Sequence, residues 1–245
     1  MTYCVGMLVQ DGLVMMADTR TNAGIDNVSA YRKLHVFETP GERMIVIATA
    51  GSLSITQTTL SLLREGVLHA ETGQMETLET VVSLFRAAQL IGTAVRRVRA
   101  EHAPAMQAER VNSEVSLLVG GQIAGQPMRL FLVYSAGNFI ECGPDTPFLQ
   151  IGEYKYGKPI LDRAVGFGTP LPEALKIGLL SFDATIRSNL AVGLPLDLIV
   201  MRRDAIAAET RGRVPVDDPY FRDLGAQWSA ALNAAHQAIP GPNYG

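Results

Sequence analysis

The amino end of this 245-residue chain carries the residues best suited to do chemistry. Met1 is followed by Thr2. A small second residue permits loss of the initiator methionine, so the mature chain is expected to begin at Thr2. The threonine would then hold a hydroxyl and a free α-amine on one skeleton, a nucleophile with its own base. An α-amine titrates at roughly 7.7–8.0, so much of it can accept a proton near neutral pH. Two charged residues downstream suit the same chemistry. A lysine such as Lys33 beside the threonine lowers the pKa of the hydroxyl, and a carboxylate such as Asp18 holds the lysine in place. Gly51, in Ala50-Gly51-Ser52, offers a backbone N–H to a developing oxyanion. Each residue alone has a plainer reading: Asp18 as a turn residue, Lys33 as a surface lysine. Their order and their common relation to Thr2 make the chemical reading.

These residues need elements to bring them together. Two β-type runs, 3–9 and 13–18, flank Gln10-Asp11-Gly12, a strong hairpin signal. A polar loop, Thr19–Gly24, leads to a third strand over 31–37 with Lys33 at its start. A fourth strand over 42–49 runs into Ala50-Gly51-Ser52. Helical patterns follow over 52–69, with Ser52 as N-cap, and over 75–101, which ends in Arg96, Arg97 and Arg99 and is closed by Pro104. A second strand group occupies 114–121, 128–135, 139–142 and 148–151. Helical patterns over 156–165 and 171–188 precede closing strands over 196–201 and 205–210. Two strand groups, each followed by helices, predict an α+β fold of two packed sheets with helices on both outer faces.

The opening Met-Thr-Tyr-Cys-Val-Gly, the Asp-Gly turn leading to Ala-Asp-Thr-Arg, the lysine before Leu34-His35, and Ala-Gly-Ser opening a helix together resemble the proteasome β-type subunits. The opening and the segment Arg20–Gly24 most resemble the bacterial ancestral β-subunit (Anbu) branch. The resemblance implies the four-layer αββα sandwich of N-terminal nucleophile hydrolases and a threonine peptidase of the proteasome β type. It implies Thr2, Asp18, Lys33 and Gly51 as catalytic residues. Thr21, Asn22, Thr49 and Leu53 would line the substrate channel, and Thr49 and Leu53 would leave it uncharged there. The substrate is then a peptide or protein, no cofactor is required, and a homo-oligomeric ring or spiral is expected. The distal half of the family pattern differs. Where the family carries Gly-Ser-Gly, this chain has Gly152-Glu153, and a glutamate there can bind the α-amine. In place of the usual Asp-x-x-Ser, the nearest match is Ser188-Asn189, with Asp183 a weaker candidate. Two rival functions stay open: an N-terminal nucleophile amidase acting on a small or modified peptide, and a catalytically silent β-type assembly subunit.

Composition sets outer bounds. A net charge of −3 with no basic patch argues against a nucleic-acid partner. The apolar stretches are far short of a membrane span, and no secretory leader pattern opens the chain. Cys4 and Cys142 are expected as reduced thiols, which with these absences points to the cytoplasm. His35, His69, His102 and His236 show no metal-ligand spacing, and no glycine-rich phosphate loop occurs. Residues 1–214 are expected to form one domain, and 215–245 an extension. In the extension, Phe221, Leu224, Trp228 and Leu232 fall at helical spacing, suited to packing on the chain's own domain or on a neighbouring subunit. The terminal Pro240–Gly245 is expected to be mobile.

Overall fold

Thr2 leads directly into a five-stranded antiparallel sheet. The structure is a computed structural model and describes residues 2–22, 28–68 and 73–244. Strand β1 (Tyr3–Val9) turns through Gln10-Asp11 into β2 (Gly12–Asp18), with Cys4 opposite Ala17 and Val9 opposite Gly12. The predicted hairpin is therefore present. Short strands β3 (Arg20–Asn22) and β4 (Val28–Ala30) pair with each other. They replace the loop expected over Thr19–Gly24, of which Ala23 and Gly24 lie outside the described residues. Strand β5 (Leu34–Thr39) starts one residue after Lys33, and β6 (Arg43–Gly51) carries the chain to helix α1 (Leu53–Glu65).

Helix α1 is shorter than its apolar period suggested. Gly66, at φ 109°, ends it, and β7 (Val67–Leu68) follows; His69 lies outside the described residues. Ser52 occupies the N-cap position, but its hydroxyl faces Ser54 Oγ at 3.2 Å rather than a helical N–H. The second helix is displaced along the chain. Met75–Glu76 is strand β8, and α2 runs from Leu84 to Ala108. Its start is fixed by Ser83, whose hydroxyl accepts from Arg86 N at 3.0 Å. Pro104 lies inside α2 and does not close it. A proline removes one helical hydrogen bond, and at an exposed position water can serve the freed carbonyl.

The remainder is β9 (Val115–Ile123), β10 (Arg129–Tyr134), β11 (Phe139–Glu141), β12 (Phe148–Gly152), α3 (Tyr154–Ala164), α4 (Leu171–Ser188), β13 (Leu196–Arg202), β14 (Ala208–Val214) and α5 (Pro219–Ala238). Only β14 departs clearly from its expected position, 205–210. Asp204 and Ile206 adopt left-handed φ of 65° and 51°, so the β13–β14 turn takes up residues read as strand.

One sheet has the order β12-β1-β2-β13-β14 and the other β11-β10-β9-β6-β5. Alternation along the strands separates three apolar layers. Cys4, Leu13, Met15, Val46, Ala48 and Leu118 fill the space between the sheets. Tyr3, Val5, Met7, Val14 and Met16 face outward to Leu161, Ala174 and Phe182 of α3 and α4. Ile45, Ile47 and Val119 face Leu60, Ala87 and Ile91 of α1 and α2. Strands covered on both faces read as unbroken apolar runs, which is why β1 and β2 show no polar alternation in the sequence. The mixed α+β class expected from the sequence is thus the one observed. No helix among the described residues is long and apolar enough to cross a membrane.

Helix α5 begins after Asp218, whose Oδ1 accepts from Phe221 N at 2.7 Å. Of its expected stripe, Phe221 is buried, Leu224 and Trp228 are half-buried, and Leu232 is exposed. The helix packs by its first turns and then leaves the body of the protein.

Candidate active site

The site is a cleft of about 1370 Å³ between the amino end of β1 and the end of β6. Thr2, Thr21, Lys33, Thr49, Gly51, Leu53 and Glu153 all line it. The hairpin sets Asp18, the last residue of β2, beside the start of β1. Its Oδ1 accepts from Tyr3 N at 3.0 Å and from Lys33 Nζ at 2.8 Å. Asp18 is fully buried and Lys33 is 4% exposed. Lys33 Nζ also donates to Arg20 O at 2.5 Å. Lys33 reaches Asp18 because β5 pairs with β6, whose Thr49 N donates to Lys33 O at 2.9 Å.

Burial pushes the Asp18 carboxyl above the usual range, while the Lys33 ammonium and the Tyr3 N–H pull it back. Asp18 Oδ2 has no hydrogen-bond partner among the described residues. One ammonium and one amide therefore hold the buried carboxylate through a single oxygen. That arrangement stands only while the lysine stays in place.

Gly51 adopts φ 101°, and a Cβ there would lie 2.2 Å from Glu114 O. Only glycine fits this strand end. Val115, the partner of Gly51 across the ladder, directs both its N–H and its C=O to Ser135 Oγ at 2.7 Å. Gly51 is thus in a non-hydrogen-bonded pair, and its N–H leaves β6 on the edge used by Thr49 N–H. Strand β5 has not begun at that level, so this N–H faces the cleft. Gly152 completes the wall, and Glu153 N donates to Thr2 O at 2.7 Å. With φ 80° at Gly152, a Cβ would fall 1.9 Å from Thr2 O. The glycine lets β12 close on the first residue of β1.

The other sequence-predicted residues are placed as follows. Thr21 Oγ1 is buried without a hydrogen-bond partner among the described residues, and Thr49 is buried. Leu53 is half-buried at the start of α1. Asn22 is the last residue of β3, and its side chain lies outside the described residues. Glu153 precedes α3 without capping it; its carboxylate lies 3.7 Å from Lys155 Nζ. Ser188 and Asn189 do not line the cleft. Ser188 is exposed at the end of α4, and Asn189 Oδ1 accepts from Ala191 N at 2.9 Å, closing the turn after that helix. Asp183 pairs with Arg187 at 2.9 Å, also away from the cleft.

Arg20, in a segment read as loop, does not line the cleft but supplies a carbonyl to Lys33. Several lining residues had no sequence signal. Gln150 lines the cleft and donates to Tyr3 Oη at 2.6 Å; Tyr3 Oη donates to Ser181 Oγ at 3.1 Å, tying β12 and β1 to α4. Glu114, Asp145 and the Lys158–Asp162 pair add charge to the outer wall. Thr49 and Leu53 are uncharged, but Lys33 and Glu153 line the same cleft. No group of three His, Cys, Asp or Glu side chains able to hold a metal occurs among the described residues.

Two face-packed sheets with helices outside, and a threonine, lysine and buried aspartate meeting at one strand end, define a proteasome β-like protein. No protein-family model matches the chain, and no curated protein matches it. Solved structures do. Anbu (ancestral beta-subunit) from Yersinia bercovieri is 42% identical, with 99% of each chain covered and a TM-score of 0.89. The Anbu of the helical assembly from Pseudomonas aeruginosa is 47% identical, covering 99% of this chain and 98% of that one, with a TM-score of 0.90. A Gly-1 mutant of Anbu from Hyphomicrobium sp. strain MC1 is 45% identical over 99% and 100%, with a TM-score of 0.90. The chain belongs to the Anbu family.

Proposed function

We propose that this protein is a threonine peptidase of the proteasome β type, on the αββα sandwich of N-terminal nucleophile hydrolases. Thr2 is its nucleophile once Met1 has been removed. The observation that carries the reading is the buried Lys33–Asp18 pair at 2.8 Å in the cleft that Thr2 lines. A buried lysine fixed by a carboxylate is a costly arrangement, and placing a positive charge beside a nucleophilic hydroxyl is what it offers in return.

The steps follow from these positions. The Thr2 α-amine takes the hydroxyl proton through a bridging water, and the Lys33 ammonium favours the developing alkoxide. Attack on the peptide carbonyl forms a tetrahedral centre whose oxyanion accepts from the Gly51 N–H. The C–N bond breaks and the leaving amine takes the proton from the Thr2 ammonium. Water, deprotonated by the same α-amine, then hydrolyses the acyl ester and restores the hydroxyl. Glu153, whose backbone N–H holds Thr2 O, orients the α-amine. Thr21, Asn22 and Thr49 bind the extended substrate, with backbone bonds from the strand ends. Ser188 and Asn189 lie outside the cleft and are given no step. No cofactor takes part.

The helical assembly of a relative supports a homo-oligomeric ring or spiral here. The unpaired, buried Cys4 and Cys142 suit a reducing, cytoplasmic setting. The test is labelling by a peptide epoxyketone, which needs both the hydroxyl and the free amine of an N-terminal threonine. Wild type, with its amino end confirmed by intact mass, gains one adduct per chain, while folded Lys33→Ala does not. Equal labelling rates for the two proteins would refute the role of Lys33.

A further inference from the structure

A second groove, of about 630 Å³, lies between the start of β5 and the β13–β14 edge. It collects Arg32, His35, Arg64, Arg211 and Arg213 around Asp197. In a chain of net charge −3, this is a local excess of positive charge. Two of the arginines are committed. Arg213 grips Asp197 through two bonds of 2.7 and 3.0 Å, and Arg211 holds Glu38 at 2.8 Å. The other two have no carboxylate partner among the described residues: Arg32 is exposed, and Arg64 stands over the Phe37 ring at 5.4 Å.

His35 supplies a second, independent observation. Its Nε2 is buried and has no hydrogen-bond partner among the described residues. The ring also hydrogen-bonds the Arg32 backbone; because Nε2 has no partner among the described residues, we assign that bond to Nδ1–H, which leaves Nε2 a bare acceptor. Burial, reinforced by the Arg64 and Arg32 charges, lowers the imidazole to about 4, opposed by the Arg32 backbone bond and by Asp197. At neutral pH the ring therefore stays neutral among its cations. The groove offers two uncommitted guanidinium groups and one lone pair that needs a donor.

We propose that this groove binds hydrogen phosphate, with Arg32 and Arg64 meeting its charged oxygens and His35 Nε2 accepting from its P–OH. The P–OH sets the ligand class. Sulfate has the same shape and, near pH 7.5, nearly the same charge, but carries no proton to donate. A phosphomonoester has esterified that oxygen and, with a second pKa near 6, is also without a P–OH at that pH. The groove thus reads a proton as well as a charge, and it favours the free anion over a phosphorylated chain.

Calorimetric titration of the full chain at pH 7.5 and constant ionic strength tests this, with inorganic phosphate, sulfate and O-phosphoserine as probes. Wild type binds phosphate about tenfold tighter than sulfate or O-phosphoserine, the value of one hydrogen bond to a charged partner. His35→Asn keeps a donor toward the Arg32 backbone but lacks the Nε2 acceptor. It binds sulfate as wild type does and loses the preference for phosphate. Arg64→Gln weakens both anions by about tenfold. Arg32→Gln, read in the same way, serves if Arg64→Gln fails to fold. The proposal is overturned if wild type binds no phosphate, binds phosphate and sulfate equally, or keeps its phosphate affinity after either arginine is replaced.

Discussion

Replacing Lys33 by Met removes the charge partner of Asp18, which is fully buried and whose Oδ2 has no hydrogen-bond partner among the described residues. The Arg20 carbonyl also loses its donor. Breaking a buried pair on one side costs about 3–5 kcal/mol. For a chain of this size, a loss of about 3 kcal/mol lowers the melting temperature by roughly 6–12 °C. Asp18→Asn keeps an oxygen for Tyr3 N–H and leaves Lys33 with the Arg20 carbonyl, so its cost falls at or below the lower end. In the double variant no uncompensated charge is left, and it should recover about 1–3 kcal/mol relative to the sum of the singles. The Lys33→Met loss should also depend on pH. Without the ammonium, burial is opposed mainly by the Tyr3 N–H, so the folded pKa of Asp18, already raised, rises further above the unfolded value of about 3.9. A carboxyl raised in the fold costs stability above its folded pKa and costs less as pH falls through that pKa. The deficit of Lys33→Met should therefore shrink between pH 7 and pH 5. Urea unfolding of all four proteins at both pH values measures each quantity. Strictly additive single variants, with a deficit that does not change with pH, would refute the description of Lys33 and Asp18 as a coupled buried pair.

Gly152→Ala meets both a positive φ and the Thr2 carbonyl at 1.9 Å, whereas a Cβ on Gly125, also at positive φ, meets nothing within 4 Å. Gly125→Ala should cost about 1 kcal/mol, and Gly152→Ala at least twice that together with loss of Thr2 labelling; equal costs would show that β12 yields at this contact. His35 is held near 4 in the fold against about 6.5 unfolded. The unfolded chain then binds the extra proton first, and stability should fall as pH drops from 6.5 to 4, by at most about 3 kcal/mol, a slope that His35→Gln removes in chemical unfolding. Deleting 216–245 removes α5, which buries only Phe221 and Gly225. If its exposed half joins subunits, light scattering should show a smaller oligomer of folded protomers; an unchanged mass with unchanged melting would refute any role for the tail. Asn189→Ala breaks only the turn bond to Ala191 N at 2.9 Å, so epoxyketone labelling should keep its wild-type rate, and a lost signal would return Asn189 to the site.

The hairpin was legible in the sequence because everything that makes it is local. Gln10-Asp11-Gly12 specifies the turn, and the runs beside it have no alternative to strand. The hairpin in turn brings Asp18 to the start of β1, so the first two site residues are neighbours for local reasons. Helix α4 was legible to its ends for the same kind of reason, an apolar period between Pro170 and the Asn189 turn. The start of α2 was not. Met75 and Glu76 fit a helical period equally well, and only pairing with Val67 and Leu68 makes them strand.

The opposite wall of the cleft depended on tertiary structure throughout. Gln150, Gly152 and Glu153 stand more than half the chain length from Thr2, and the pairing of β12 with β1 brings them to it. Sequence spacing could suggest Ser188-Asn189 as site residues, but the end of α4 points them elsewhere. The basic groove has no motif either, because its residues come from β5 and the segment just before it, α1, β13 and β14. A sequence fixes which groups can react and which neighbours share a turn or a strand. Which distant groups share one low-dielectric cleft is decided when the two sheets close on each other, and that closure depends on the whole core at once.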